Sequence, residues 1–187
     1  AALDAYCDLC NRGAMKADAS AHARERDAIR QSVLTRAWNP RLGAYSGAYG
    51  QDWLDASLLL MPRLGFLPAD DPRMVATYKA IQDQLGHGAQ MRRYADGVDG
   101  ISSTEGTFTA CGFWAADYLA RKGDTDAAEA RIAALLDTTN DLSLMAEELD
   151  PESGAQLGNF PQGFSHAGLI GALLALKDAR NARKEGR

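Results

Sequence analysis

At 187 residues, with 46% hydrophobic and 24% charged residues, the chain can bury a sizeable core and has the composition of a globular domain. Its formal net charge of −5 offers no electrostatic basis for binding nucleic acid or an anionic membrane surface. No apolar run approaches the ~20 residues of a membrane span, so a soluble, cytoplasmic chain is expected.

Helical periodicity dominates in chain order, and long alternating strands are absent. Ala1 to Asn11 reads as the end of a helix already under way, stopped near Gly13, without the basic and apolar segments of a leader. This predicts a piece of a longer polypeptide. Cys7, Cys10 and Cys111 are odd in number and give no disulfide framework. The Cys7-x-x-Cys10 pair lacks further ligands at metal spacing, and His22, His87 and His166 are far apart, so no metal or cofactor is expected. Ala21 to Trp38 predicts an amphipathic helix with Ile29, Val33 and Ala37 on one face, ended by Asn39-Pro40.

After a Gly- and Tyr-rich loop, the apolar run from Asp55 to Met61 predicts a helix buried on several sides, ended or bent by Pro62 and Gly65. Pro72 to Leu85 is amphipathic again, with Asp70 or Asp71 as N-cap. A long loop, 86–104, precedes a helical stripe of Phe108, Cys111, Ala115, Tyr118 and Leu119 ending near Gly123. Asp124 or Thr125 caps a charged helix to about Asp137, and a second long loop covers 138–162. Phe164 to Leu176 is apolar nearly all round, with Gly163, Gly168 and Gly171 permitting close packing, before a basic tail. About seven helices alternate between buried and amphipathic types, as a toroid of helical hairpins requires. A solenoid of helix pairs fits the periodicity too, although no regular repeat is present.

Long loops in a helical domain are usually functional. The two here combine carboxylates, aromatics and glycines, a composition suited to sugars, whose apolar ring faces stack on aromatics while hydroxyls meet charged or amide groups. In the first, Arg93 can fork onto two hydroxyls and Tyr94 can stack. Glu105 belongs equally to a capping box, Ser102-x-x-Glu105, or to a substrate contact. In the second, Glu147 and Glu148 lie in an acidic stretch, followed by Ser165, read as a helix cap, and His166, read as a pocket or packing residue.

Taken together these segments resemble glycoside hydrolase family 15, the glucoamylases, glucodextranases and bacterial trehalases. The matching stretches are Trp38–Tyr45, Leu54–Leu59, Gly65–Arg73, Glu105–Phe108 with Cys111–Trp114, Ala146–Pro151, and Leu157–Gln162 with Phe164–His166, in the family's order over nearly the whole chain. The resemblance implies an all-α fold, an (α/α) six-hairpin barrel present here as an incomplete portion. It also implies exo-acting hydrolysis of α-glucosidic bonds with inversion, acting on an α-glucan oligosaccharide or trehalose. Glu147 matches the family's general base. Arg93 and Tyr94 fall in a substrate-binding stretch, and Phe108 falls near an aromatic position of the pocket. Glu105 is thereby a substrate residue, and Glu148 braces the loop or binds sugar. The family's general acid lies in a Trp-Glu segment upstream of the first helix seen here, so the rest of the barrel, an N-terminal half, is the expected partner. Gly163, where Ala is usual, and Leu149, where a larger or β-branched residue is common, depart from the pattern away from the chemistry. The rival readings are a helical scaffold that binds proteins and a non-catalytic relative that binds sugar.

Overall fold

The computed structural model describes residues 1–98, 100 and 105–185. The first helix, α1 (Ala2–Asn11), is followed by Gly13 at φ 72°, a left-handed value that Gly adopts without steric cost. Helix α2 (Ser20–Arg36) stops short of the predicted Asn39-Pro40 break. Trp38–Asn39 (β1) instead pairs antiparallel with Ala44–Tyr45 (β2), and the Asn39 Oδ1 accepts from the Arg41 N–H at 2.8 Å to shape the turn. The apolar face predicted for α2 is uneven. Ala37, at its C-cap, is buried, but Ile29 is 47% exposed.

The apolar run predicted as a buried helix over 55–61 is instead one short 3₁₀ segment, Ala56–Leu60. Its capping explains the difference. Asp55 accepts from the Ser57 N–H at 2.8 Å, while the Ala56 N–H donates out of the segment to the Arg93 carbonyl, also at 2.8 Å. Pro62 and Gly65, the latter at φ 68°, then turn the chain away before an α-helix can propagate. Ala56 and Leu59 are nonetheless fully buried. Helix α3 (Pro72–Leu85) begins where predicted. Asp71 accepts from the Arg73 N–H at 2.9 Å, and Pro72 occupies the first turn. Inside the following loop, Gly86–His87 (β3) and Gln90–Met91 (β4) form a hairpin.

Thr107–Phe108 (β5) leads into α4 (Thr109–Lys122), which supplies much of the larger core cluster. The one-sided stripe predicted there understates its burial, because every residue from Thr109 to Ala120 is buried. Helix α5 (Thr125–Leu136), α6 (Gly163–Glu185) and the 3₁₀ segment all lie against it. Two glycines set how closely. A Cβ on Gly112 would sit 3.0 Å from both Leu135 methyls, and one on Gly168 would sit 3.3 Å from the Phe113 Cβ and 3.5 Å from the Ala110 Cα. At the far end of α4, the Tyr118 hydroxyl donates to the Ala69 carbonyl at 3.0 Å. The Asp117 carboxylate, 1% exposed, meets Arg121 at 2.7 Å and Arg63 at 3.7 Å, so its buried charge is compensated.

Helix α6 continues through the basic tail instead of ending at Leu176. One side buries Ser165, Gly168, Gly171, Ala172, Ala175 and Leu176, but Phe164, Ile170, Leu173 and Leu174 are 52%, 58%, 45% and 53% exposed. A helix apolar nearly all round therefore has one uncovered face. Among the described residues no helix is long and apolar enough to cross a membrane.

Replacing Gly168 with Leu forces α4 and α6 apart and is expected to cost about 1–3 kcal/mol, the usual range for overpacking. Gly163→Ala, where a Cβ meets nothing within 4 Å, is expected to stay within about 0.5 kcal/mol of the parent. Thermal unfolding of the full-length gene product checks both, and equal midpoints for the two variants would contradict the close crossing.

Candidate functional site

The second long loop is organised by a tight turn. The Asp150 Oδ1 accepts from the Ser153 N–H at 2.7 Å, the Ser153 hydroxyl at 2.9 Å and the Glu152 N–H at 3.0 Å. These bonds, the Ser153 amide foremost, hold the Asp150 carboxyl below its usual range. The turn folds Glu148–Leu149 (β6) back on Gln156–Leu157 (β7), and β6 pairs with β5 on its other edge, Thr107 opposite Leu149 and Phe108 opposite Glu148. The ladder runs on beyond the strands: the Thr109 N–H donates to the Glu147 carbonyl and the Glu147 N–H to the Asn159 carbonyl, both at 2.9 Å.

Two sequence expectations are corrected here. Ser165 does not cap a helix: it lies inside α6, and its buried hydroxyl donates to the Ala146 carbonyl at 2.9 Å, tying that helix to the glutamate loop. The capping-box role of Glu105 fails as well. Residues 107–108 are extended and α4 starts only at Thr109, too late for Glu105 to sit in its first turn. Ser102 to Thr104 lie outside the described residues. His166 is a packing residue, its Nδ1 2.8 Å from the Gln162 carbonyl oxygen and its Nε2 buried.

A cleft of about 270 Å³ opens where these segments meet, lined by Arg92, Arg93, Tyr94, Glu105, Gly106, Phe108, Glu147 and Glu148. All six residues singled out from sequence lie on it. Arg93 is fixed by its main chain, whose carbonyl accepts from Ala56, and by Asp55, whose Oδ1 is 3.5 Å from the Arg93 Nε. The same guanidinium carbon lies 5.5 Å from the centre of the Tyr94 ring, which in turn meets Trp53 edge-on at 6.3 Å. Phe108 belongs to an aromatic group with Trp114 and Phe164, at centroid distances of 6.3 and 6.1 Å. Gly106 is a point of close approach, since a Cβ there would lie 2.7 Å from the Leu149 carbonyl oxygen. Its N–H donates to the Glu148 Oε2 at 3.2 Å.

Sequence reading passed over Asp55, Arg92 and Asn159. All three stand in stretches that the sequence singles out, so their position was legible and their contacts were not. Asn159 donates from both its main-chain and its side-chain nitrogen to the Glu147 Oε2, at 3.1 and 2.9 Å. Three carboxylates, two arginines and two aromatic rings thus face one small volume, and none of the three glutamates forms an ion pair among the described residues. Such a set can grip a polyhydroxylated ligand and exchange protons with it.

The two adjacent glutamates differ in environment. Burial raises the Glu148 carboxyl, the Gly106 N–H offsets part of this, and the neighbouring Glu105 and Glu147 charges add to it. A carboxyl raised on folding leaves the ionised protein bearing a cost that vanishes once the group is protonated in both states. Glu148→Gln, which keeps an acceptor for Gly106, is therefore expected to melt higher than the parent at about pH 8, the gap closing toward about pH 4, below the unfolded carboxyl value. A gap that is the same at both ends, read by thermal unfolding, would contradict this.

With this geometry in hand, the similarities to known proteins are specific. The sequence profile of glycosyl hydrolases family 15 matches residues 1–138 and 125–174. A trehalase of Mycobacterium tuberculosis is 40% identical over 175 residues, 92% of this chain and 26% of the relative. A trehalase of Thermoplasma acidophilum is 38% identical over 154 residues, 82% of this chain and again 26% of the relative. The chain thus spans about a quarter of the length of the curated relatives it matches. Among solved structures, a wild-type glycosidase superposes with a TM-score of 0.72 at 22% identity, covering 85% of this chain and 45% of that one. A bacterial glucoamylase complexed with acarbose gives 0.72 at 17% identity, covering 86% and 30%. The architecture is that of a portion of the (α/α) six-hairpin barrel, and the chain belongs to glycosyl hydrolases family 15.

Proposed function

We propose that the cleft is part of the active site of an inverting, exo-acting α-glucoside hydrolase, with Glu147 as its general base. The observation that carries this reading is convergence. Arg93 and Tyr94, Glu105 and Phe108, and Glu147 and Glu148 come from three separate stretches and line the same small volume. A solvated acidic loop of a protein-binding scaffold has no reason to meet them there.

In inversion, one carboxyl protonates the leaving oxygen while the other, ionised, takes a proton from water attacking the opposite face, roughly 6.5–9.5 Å away. Glu147 suits the second role, being half-buried, held by neutral amides, and open to the cleft. Arg93 and Glu105 bind sugar hydroxyls, Tyr94 and Phe108 offer ring faces, and Glu148 braces Gly106 at the rim. The general acid comes from outside the 187 residues. The relatives named trehalases favour trehalose as the substrate, with maltose-type α-glucans the alternative.

Glu147→Gln in the full-length gene product is expected to lower kcat on trehalose or maltose by about 10²–10⁴-fold, the usual worth of a general base. Wild-type turnover in that variant would remove Glu147 from the mechanism. Sugar binding without hydrolysis by the parent itself would favour the non-catalytic relative. Glu105→Gln is expected to act mainly on KM.

The exposed Ile170, Leu173 and Leu174 on α6 give the remainder of the barrel an apolar face to cover. Residues 1–187 produced alone are accordingly expected to self-associate or to melt broadly in calorimetry. A sharp, cooperative transition from a monomer would contradict an uncovered inner-helix face.

A further inference from the structure

The Glu147 carboxylate is gripped from one side. Asn159 makes three bonds to Glu147, two of them to the carboxylate: its carbonyl accepts from the Glu147 N–H at 2.9 Å, its own N–H donates to Oε2 at 3.1 Å, and its side-chain Nδ2 donates to the same oxygen at 2.9 Å. Gly158 makes the approach possible. It stands at φ 70°, and a Cβ there would lie 3.0 Å from Oε2 and 3.1 Å from the Glu147 Cβ. Among the described residues Oε1 has no hydrogen-bond partner.

We infer that Asn159 is a positioning residue for Glu147: by holding Oε2 with two N–H groups it turns Oε1 toward the cleft, where the attacking water must be met. This rests on Glu147 being the base. A glutamate on a half-exposed loop has three rotatable bonds and several rotamers within reach. Two donors from one residue, whose main chain is also bonded to that of Glu147, select one of them. An amide suits this role better than a cation would, because a charge-assisted pair would draw more strongly on the carboxylate that must accept the proton. Displacement of a reacting group by about 1 Å can cost on the order of 10²-fold in rate, so a residue that never touches substrate can still govern turnover.

The test is a double-mutant cycle in the full-length gene product, with trehalose and maltose as substrates. Asn159→Ala removes the side-chain donor. Asn159→Asp keeps the shape and both main-chain bonds while replacing the donor with an acceptor, which guards against a variant that merely fails to fold. Both are expected to lower kcat by about 10–100-fold with KM changed by less than about 3-fold. In a Glu147→Gln background, Asn159→Ala is expected to cost nothing further, because the group it positions no longer acts. The same loss in both backgrounds, or a loss carried by KM, would overturn the inference. Wild-type turnover in Glu147→Gln alone would overturn the base assignment, and this inference with it; that result is read before Asn159 is changed.

Discussion

The bond from the Thr109 N–H to the Glu147 carbonyl joins the start of the buried helix to the loop that carries the carboxylates. A helix leaves its first N–H groups without intrahelical partners, and buried ones must find them elsewhere. Helix α4 has no side-chain cap, its N-cap being Phe108 in extended conformation, and Thr109 meets its need from the glutamate loop. Magnitudes assign the labour. A single hydrogen bond contributes about 0.5–1.5 kcal/mol net, whereas full burial of side chains such as Phe113, Trp114 and Tyr118 is worth about 1.5–3 kcal/mol each. Packing therefore fixes where α4 lies, and the three-strand ladder fixes the register of the glutamates upon it. The cleft follows from those two facts.

The adjacent glutamates show how neighbouring positions on one loop acquire two different environments. Glu148 is drawn toward Gly106 and partly desolvated, while Glu147 turns toward Asn159 and keeps one oxygen unengaged among the described residues. Like-charged neighbours in one cleft separate in behaviour through surroundings of this kind. Arg93, 47% exposed and shared with the more buried Asp55, supplies positive charge without forming an ion pair with any of the three glutamates.

The helices were legible because their signals are local. Asp71-Pro72 marks the start of α3, and Gly123, at φ 91°, the end of α4, as capping and left-handed backbone require. Where the sequence misled, non-local bonds outweighed local pattern. The run over 55–61 has a helix's composition, yet Ala56 donates to Arg93 and the segment closes as a 3₁₀ turn. The strands are two residues long, below the length at which a period of two can be recognised, so the sheet left no periodic trace. Glu147, Arg93, Tyr94, Glu105, Phe108 and Glu148 were legible through residue type and the order of the family's motifs. The role of Asn159 was not, because a polar loop residue reveals its partner only once the hairpin brings the two together.

Whether Glu147 directs water to the face opposite the leaving group is decided by the stereochemistry of the first product. The full-length gene product is mixed with substrate, and the anomeric protons are followed by NMR before mutarotation. Inversion gives β-glucose as the new anomer from maltose, and equal initial amounts of α- and β-glucose from trehalose, one from each half of the molecule. A new α-anomer from maltose, or α-glucose alone from trehalose, would mean retention, and would contradict the assignment of Glu147 as the base of an inverting reaction.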